Sequence, residues 1–227
     1  SLAVEEQFYL LWPTVVFFAR GRNLAWICGL LIVSATALRC HWSLQDVPWN
    51  RIYRLTITRW DTMAFGALAA LALRSESYRE RAARIAPTLV AAGTAAFLVL
   101  TVLAGGAEWS KGPIQTFGST SASIAFAGLV LYAATRTSGP LYAVLCRPVL
   151  LSLGKYSYFI YVVHGLVISH VYWVGSYIMK RAPLSAVPLK LALFLLVNVG
   201  VFHVAKLSWR FFEAPVLKLK RHFEPRA

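Results

Sequence analysis

From Ile85 to Ala104 the chain runs through twenty consecutive residues without a charged side chain. At about 1.5 Å of rise per residue, a helix of that length spans about 30 Å, the thickness of the hydrocarbon core of a bilayer. Few other folds are open to such a stretch, because backbone groups in lipid must bond to one another. Six further apolar segments resemble it: Ser1 to Ala19, Leu24 to Leu38, Trp60 to Leu73, Gly118 to Ala134, Val149 to Ile178 and Ala186 to Phe212. Arginine, proline, glycine or polar clusters separate them. The pattern predicts an all-α fold, a polytopic transmembrane helix bundle of about seven membrane-spanning helices filling residues 1–212, with residues 213–227 as a basic tail.

Composition narrows the class further. The 227 residues are 58% hydrophobic and 14% charged, against a charged share of about 25% in soluble domains. With 23 Lys and Arg against 9 acidic residues, the formal charge is +14, which calls for a polyanionic partner or a membrane surface. The cations punctuate the apolar runs instead of forming one wetted face, so membrane lipid is the expected partner and nucleic acid is not. Cys28, Cys40 and Cys146 stand far apart with no CxxC spacing, which suggests neither a disulfide scaffold nor a zinc cluster. No Gly-rich phosphate loop, HExxH, GxSxG or paired metal-ligand spacing occurs, so neither a metal nor an ATP site is expected. The opening on Ser1 rather than Met, with no secretory leader pattern ahead of it, points to a piece of something longer.

Cytoplasmic ends of membrane helices collect Lys and Arg, and most of the 23 cations gather on one side if the C-terminus, with Lys218, Lys220, Arg221 and Arg226, is cytoplasmic. Arg39, Arg51, Arg54 and Arg59 break that rule. They flank one outer loop that also holds His41, Trp42, Asp46 and Trp49. Two readings stay open there: an interfacial belt of Trp and Arg, or the entry of an anionic or sugar-bearing substrate from outside.

Ionisable groups inside a span cost roughly 2.5–3.5 kcal/mol on insertion scales and are functional candidates for that reason. In the first span Ser1, Glu5 and Tyr9 fall at i, i+4 and i+8, on one helical face, and Glu6 points about 100° away. A carboxylate beside two hydroxyls suits proton exchange with an alcohol, although a helix-end carboxylate favoured by the dipole reads equally well. Arg59 and Asp61 open the third span and are candidates for substrate binding as a charge pair, or else an ion pair that fixes helix geometry. The small residues that follow, Ala64, Gly66, Ala67, Ala69 and Ala70, suit close helix packing. In the sixth span Ser157, Tyr161 and His164 share a face at i, i+4 and i+7, with Lys155 near the inner end placed to meet a phosphate. His164 reads either as a catalytic group or as a hydrogen-bonded packing residue. His170 and His203 read as packing residues. Lys206 and Arg210 in the seventh span suit the phosphates of a cytoplasmic donor, or snorkelling to anionic lipid.

Four stretches, in order, resemble the acyltransferase-3 family of integral membrane acyltransferases, the group of O-antigen and exopolysaccharide O-acetylases. They are Ser1-Leu-Ala-Val-Glu-Glu-Gln-Phe-Tyr-Leu-Leu-Trp-Pro13, Thr58-Arg-Trp-Asp-Thr-Met-Ala-Phe-Gly66, Leu153-Gly-Lys-Tyr-Ser-Tyr-Phe-Ile-Tyr-Val-Val-His164, and Phe211-Phe-Glu-Ala-Pro-Val216 onward. The resemblance implies an enzyme of the bacterial inner membrane that moves an acyl group, acetyl above all, from cytoplasmic acyl-CoA to a hydroxyl of an extracytoplasmic carbohydrate or similar acceptor. No cofactor beyond that donor is implied. The family's Ser-x3-Glu-x3-Tyr pattern falls on Ser1, Glu5 and Tyr9, which makes Glu5 the functional carboxylate and Ser1 and Tyr9 its supports. His164 joins these three in the candidate catalytic set. Arg59, Asp61, Lys155, Ser157, Tyr161 and Arg210 form the candidate substrate-binding set.

The family's other signature, an Arg or Lys eleven positions before a histidine, has no counterpart here. Leu30, Leu153, Phe159, Ala192 and Phe211 stand at that spacing before His41, His164, His170, His203 and His222. The resemblance therefore implies three upstream helices that these residues do not include. A polytopic carrier or exporter, with Glu5, Asp61 and His164 as a proton or substrate pathway, is the competing reading, and a non-catalytic membrane remnant is the third.

Overall fold

Helix α5 shows how the chain converts apolar sequence into structure. It spans Glu76–Leu103, starting two turns before the uncharged run, because Ser75 caps its N-terminus by accepting a hydrogen bond from the Tyr78 amide at 3.4 Å. Arg79, Glu80, Arg81 and Arg84 occupy those first turns. The helix ends in a Schellman turn: Gly105 adopts φ +63°, the Gly106 amide donates to Thr101 O at 2.9 Å, and the Gly105 amide to Val102 O at 3.0 Å.

The computed structural model describes residues 2–19, 21–181 and 186–219, without the side chains of residues 2, 164–166, 168–190, 193 and 219. Ser1 and the tail beyond residue 219 lie outside the described residues, as do the side chains of His164 and His170. The other helices are α1 (Leu2–Phe18), α2 (Arg22–Leu44), α3 (Trp49–Arg54), α4 (Trp60–Ala72), α6 (Ser119–Thr135), α7 (Pro140–Leu145), α8 (Pro148–Arg181), α9 (Ala186–Ser208) and α10 (Ala214–Leu219). A 3-10 turn covers Thr56–Thr58, and π-helical turns cover Ile114–Gly118 and Trp209–Glu213. No strand occurs among the described residues, and the all-α expectation holds.

Each of the seven expected segments is a helix, with shifted ends. The shift that bears on the site is in α2, which continues six residues beyond Leu38 to Leu44. Nothing from Arg39 to Leu44 breaks a helix. The stop comes at Asp46, with φ +53°, and Pro48. Among the described residues three helical stretches, Arg22–Leu44, Glu76–Leu103 and Ile114–Thr135, are long and apolar enough to cross a membrane. Helix α4 is shorter, its 13 residues rising only about 20 Å.

The chain divides into two compact units, Ser1–Tyr142 and Ala143–Ala227. In the first, α5 and α6 approach so closely that their backbones touch. A β-carbon on Gly93 would lie 2.5 Å from Ala125 N and 2.8 Å from Ser121 O, and one on Gly128 would lie 2.8 Å from Val90 N and 3.0 Å from Ala86 O. Small residues serve this purpose between helices in lipid, where dispersion replaces the hydrophobic effect as the force of association. Ala69 of α4 joins Ala82, Ala86 and Leu131 in the core beside this contact. Of the small residues in α4, Ala64 and Ala69 are buried, and a side chain at Gly66 would meet nothing.

In the second unit α8 pairs with α9. Tyr156 meets Phe202 and Trp209 edge-on at ring distances of 5.6 and 6.1 Å, and Ala205 is fully buried. Large apolar side chains elsewhere point outward, among them Leu98, Val102, Phe126, Phe194 and Leu196. In water so much exposed apolar surface is a liability, whereas in lipid it is the solvated face. Gly128→Val is expected to force α5 and α6 apart and destabilise the first unit by about 1–3 kcal/mol, with Gly66→Ala nearly neutral; thermal unfolding of the two variants in detergent checks this.

Candidate functional site

The site grows from one arginine. Arg39 sits in the extended part of α2, 3% exposed, and meets Asp61 in the first turn of α4, which is fully buried. The two form a forked ion pair, Nη2 to Oδ2 at 2.7 Å and Nη1 to Oδ1 at 3.1 Å. Every guanidinium nitrogen has a partner. Nε donates to Thr116 O at 2.9 Å, Nη1 also donates to Thr58 O, and Nη2 also donates to Thr120 Oγ1 at 2.6 Å and Thr36 Oγ1 at 3.2 Å. Thr120 in turn donates to Asp61 Oδ2 at 2.9 Å. One cation thus ties together α2, the 3-10 turn, α4, the π-helical turn and α6.

The π-helical turn at Ile114–Gly118 contributes directly, since the Thr116 carbonyl that receives Arg39 Nε lies inside it. Such wide turns often mark functional sites in helices. The 3-10 turn is held from two sides. Thr58 Oγ1 donates to Ile52 O at 2.5 Å and to Leu55 O at 2.7 Å, and Thr56 donates to the Gln7 side chain of α1.

Against this frame lies a small recess of about 20 Å³, lined by Arg39, Trp49, Ile52, Tyr53, Thr58, Arg59, Trp109, Gln115 and Ser119. Arg59 stacks on Tyr53, its guanidinium carbon 4.4 Å from the ring centroid. Its Nη1 is buried with no hydrogen-bond partner among the described residues, and so is Ser119 Oγ. The lining contains two guanidinium groups and no carboxylate.

The expected Arg59–Asp61 pair does not form. Asp61 pairs with Arg39 instead. Arg59 lies between the 3-10 turn and α4 with a non-helical backbone, φ −126° and ψ 1°, and its guanidinium rests on Tyr53, while Asp61 in the first turn of α4 meets α2. Arg39 itself, read from sequence as a cation of an outer loop, is the residue that sequence reasoning missed. Its signal was the absence of any helix breaker between Leu38 and Leu44. Thr36, Thr116, Thr120, Gln115 and Ser119 carried no such signal.

The other candidates are distributed over both units. In α1, Val4 and Phe8 form the buried face; Glu5 beside them is half-buried, Glu6 is exposed, and Tyr9 is 65% exposed. Phe8 stacks on Trp12 at 4.7 Å. Among the described residues Glu5 has no ion pair or hydrogen bond to its carboxylate. In the second unit the exposed Ser157 hydroxyl donates to Gly154 O of its own helix at 2.8 Å, and Tyr161 is half-buried. Lys155 lies 4.9 Å above the Trp209 ring, and the neighbouring Arg210 lies 5.7 Å from Phe211, so both cations rest on aromatic faces. His203 bonds Val199 O through Nδ1 at 2.7 Å, the packing role expected of it.

Comparison with known proteins adds the following. A family model described as an acyltransferase domain matches residues 1–203. The chain is 29% identical over 234 residues to O-acetyltransferase OatA of Staphylococcus aureus strain NCTC 8325 / PS 47, and equally to that of strains COL and MRSA252; each alignment covers 96% of this chain and 35% of the relative. The chain therefore spans about a third of the length of these relatives. No solved structure matches it.

Asp61→Asn leaves the Arg39 charge buried without its counter-ion and is expected to cost about 3–5 kcal/mol. The double variant Arg39→Met/Asp61→Leu, which removes both charges, should be more stable than either single change. The rate of thiol labelling at fully buried Cys28, in a background lacking Cys40 and Cys146, reads both outcomes.

Proposed function

The chain belongs to the acyltransferase family whose domain covers its residues 1–203, and on that premise we propose that it transfers an acyl group from cytoplasmic acyl-CoA to a hydroxyl of an extracytoplasmic carbohydrate or similar acceptor. The family match carries this reading. Acetyl is the favoured acyl group, supported by the name O-acetyltransferase of the relatives. Three helical stretches long and apolar enough to cross a membrane support its place in a bacterial inner membrane, with the C-terminus cytoplasmic on the positive-inside argument.

The reaction is a substitution at a thioester. The acceptor hydroxyl oxygen attacks the carbonyl carbon, a C–O bond forms, and the C–S bond breaks. The hydroxyl proton passes to a base, and CoA leaves as the thiolate, which then takes up a proton. A histidine upstream of these residues is the base that the resemblance implies, and Glu5 orients or polarises it. The placement of Glu5 supports this role: the carboxylate is half-buried beside Val4 and Phe8 and carries no described partner that would otherwise engage it. Ser1 and Tyr9 are its supports, and His164 is a second candidate for proton transfer. Lys155, Ser157, Tyr161 and Arg210 on the second unit are the proposed donor-binding set, their cations suited to the phosphates of CoA. Arg59 faces the acceptor.

Glu5 and Glu6 give a matched pair for the test. Cells carrying the chain with its upstream coding region receive labelled acetyl precursor, and O-acylation of surface glycan is measured at equal membrane abundance. Glu5→Ala is expected to lower labelling about a hundredfold or more, and Glu6→Ala, on the exposed side of α1, less than about twofold. Full labelling by the Glu5→Ala variant would remove Glu5 from the mechanism.

A further inference from the structure

Arg39 and Arg59 line the same recess and differ in one respect. Arg39 is neutralised by Asp61 and has a partner for each of its nitrogens. Arg59 has no carboxylate partner among the described residues, and its Nη1 is buried without an acceptor. Leaving a buried donor of a charged group unmade costs more than an ordinary hydrogen bond returns, so such a group in a cavity marks the place of an absent acceptor. Ser119 Oγ, on the same lining, is unpartnered as well.

The recess has room for one or two oxygen-sized atoms, too little for a sugar ring and enough for the head of a carboxylate. Its rim supplies what the interior lacks. Trp49 and Trp109 are 45% and 38% exposed, and Tyr53 stands between them at ring distances of 6.3 and 6.0 Å. An interfacial belt spreads its aromatic residues around a bundle. Here two rings one turn apart on α3 and a third from the segment between α5 and α6 converge on one opening, with one face of Tyr53 already taken by Arg59. Exposed indole faces pack against the C–H face of a pyranose, and a few polar groups inside an aromatic surround fix its orientation.

We propose that this recess is the acceptor subsite for an acidic sugar: the carboxylate enters and is bound by Arg59 Nη1 and Ser119 Oγ, and the ring lies across Trp49 and Trp109. The proposal rests on the acyltransferase reading for its choice of a carbohydrate acceptor, and it adds the charge of that acceptor. Arg39 is then a positioning residue, which holds the Thr58 and Thr116 segments that shape the recess.

Binding in the absence of any acyl donor tests this separately from catalysis. The full chain, in nanodiscs of zwitterionic lipid, is titrated with a glucuronate-containing oligosaccharide and with its glucose counterpart, and tryptophan fluorescence is followed. The acidic ligand is expected to bind about tenfold or more tightly than the neutral one. Arg59→Gln should bring the two within about twofold of each other, Ser119→Ala should narrow the gap between them, and Trp109→Ala should weaken both. Should Arg59→Gln fail to fold, as judged by its thermal unfolding, Ser119→Ala carries the same contrast. Equal binding of the two sugars by the unaltered chain would overturn the proposal, as would an acid preference that survives Arg59→Gln and Ser119→Ala. Loss of sugar binding when phosphatidylglycerol is added to the nanodisc would assign the recess to a lipid headgroup and overturn it too. Selective acid binding together with full glycan labelling by Glu5→Ala would remove the role of Glu5 and leave the subsite standing.

Discussion

A single buried ion pair organises the first unit. Taking Arg39 and Asp61 out of water carries a desolvation penalty of several kcal/mol per ion, which their attraction offsets only when the remaining hydrogen-bonding capacity is filled. Here it is filled by two threonine hydroxyls, of Thr36 and Thr120, and two backbone carbonyls, of Thr58 and Thr116. The consequence is specificity of arrangement. Apolar helices in lipid slide and rotate against one another at little cost, because one greasy face resembles another. A fork of donors with one matching set of acceptors admits one register. The chain thereby places the short 3-10 turn, the π-helical turn and the start of α4 against each other, and the recess exists because those three segments meet.

Most of the fold was legible because the solvent leaves so little choice. Predominantly apolar runs of fourteen or more residues have little choice but to be helical in lipid, and the seven segments read from the sequence correspond to seven helices. What was not legible follows from the same physics. The end of α2 was placed at Leu38 on the assumption that polarity ends a span, yet the helix continues to Leu44. Its polar side chains find partners 77 and 81 positions away, in Thr116 and Thr120. Local sequence carries no record of partners that distant. The pairing of Arg59 with Asp61 failed for a related reason. Nearness in sequence was taken for nearness in space, and the non-helical backbone at Arg59 leads its side chain to Tyr53 while Asp61 meets α2.

The candidate site was legible in part. The tryptophan and arginine cluster between residues 39 and 59 drew attention as a feature that violated the charge rule, and the recess lies there. Trp109, Gln115 and Ser119, which complete its wall, belong to a segment whose composition is unremarkable. They enter only through the folding of the π-helical turn against α2. In α1 the helical spacing drew attention to Glu5 and Tyr9, while Val4 and Phe8 define the buried side.

The backbone contact at Gly93 and Gly128 bears on how a substrate could reach the recess. Helices that touch through side chains accommodate motion by rotamer changes; helices that touch main chain to main chain have no such compliance. Strand-like stiffness of this kind makes α5 and α6 a single double-barrelled beam. Gln115, Ser119 and Thr120 stand on or beside that pair, so one side of the recess is backed by main chain packed against main chain. Its far wall is α3, six residues set between Pro48 and an extended Leu55. The recess is thus bounded on one side by two long helices packed backbone to backbone and on the other by a single short helix that follows a proline and carries Trp49 and Tyr53.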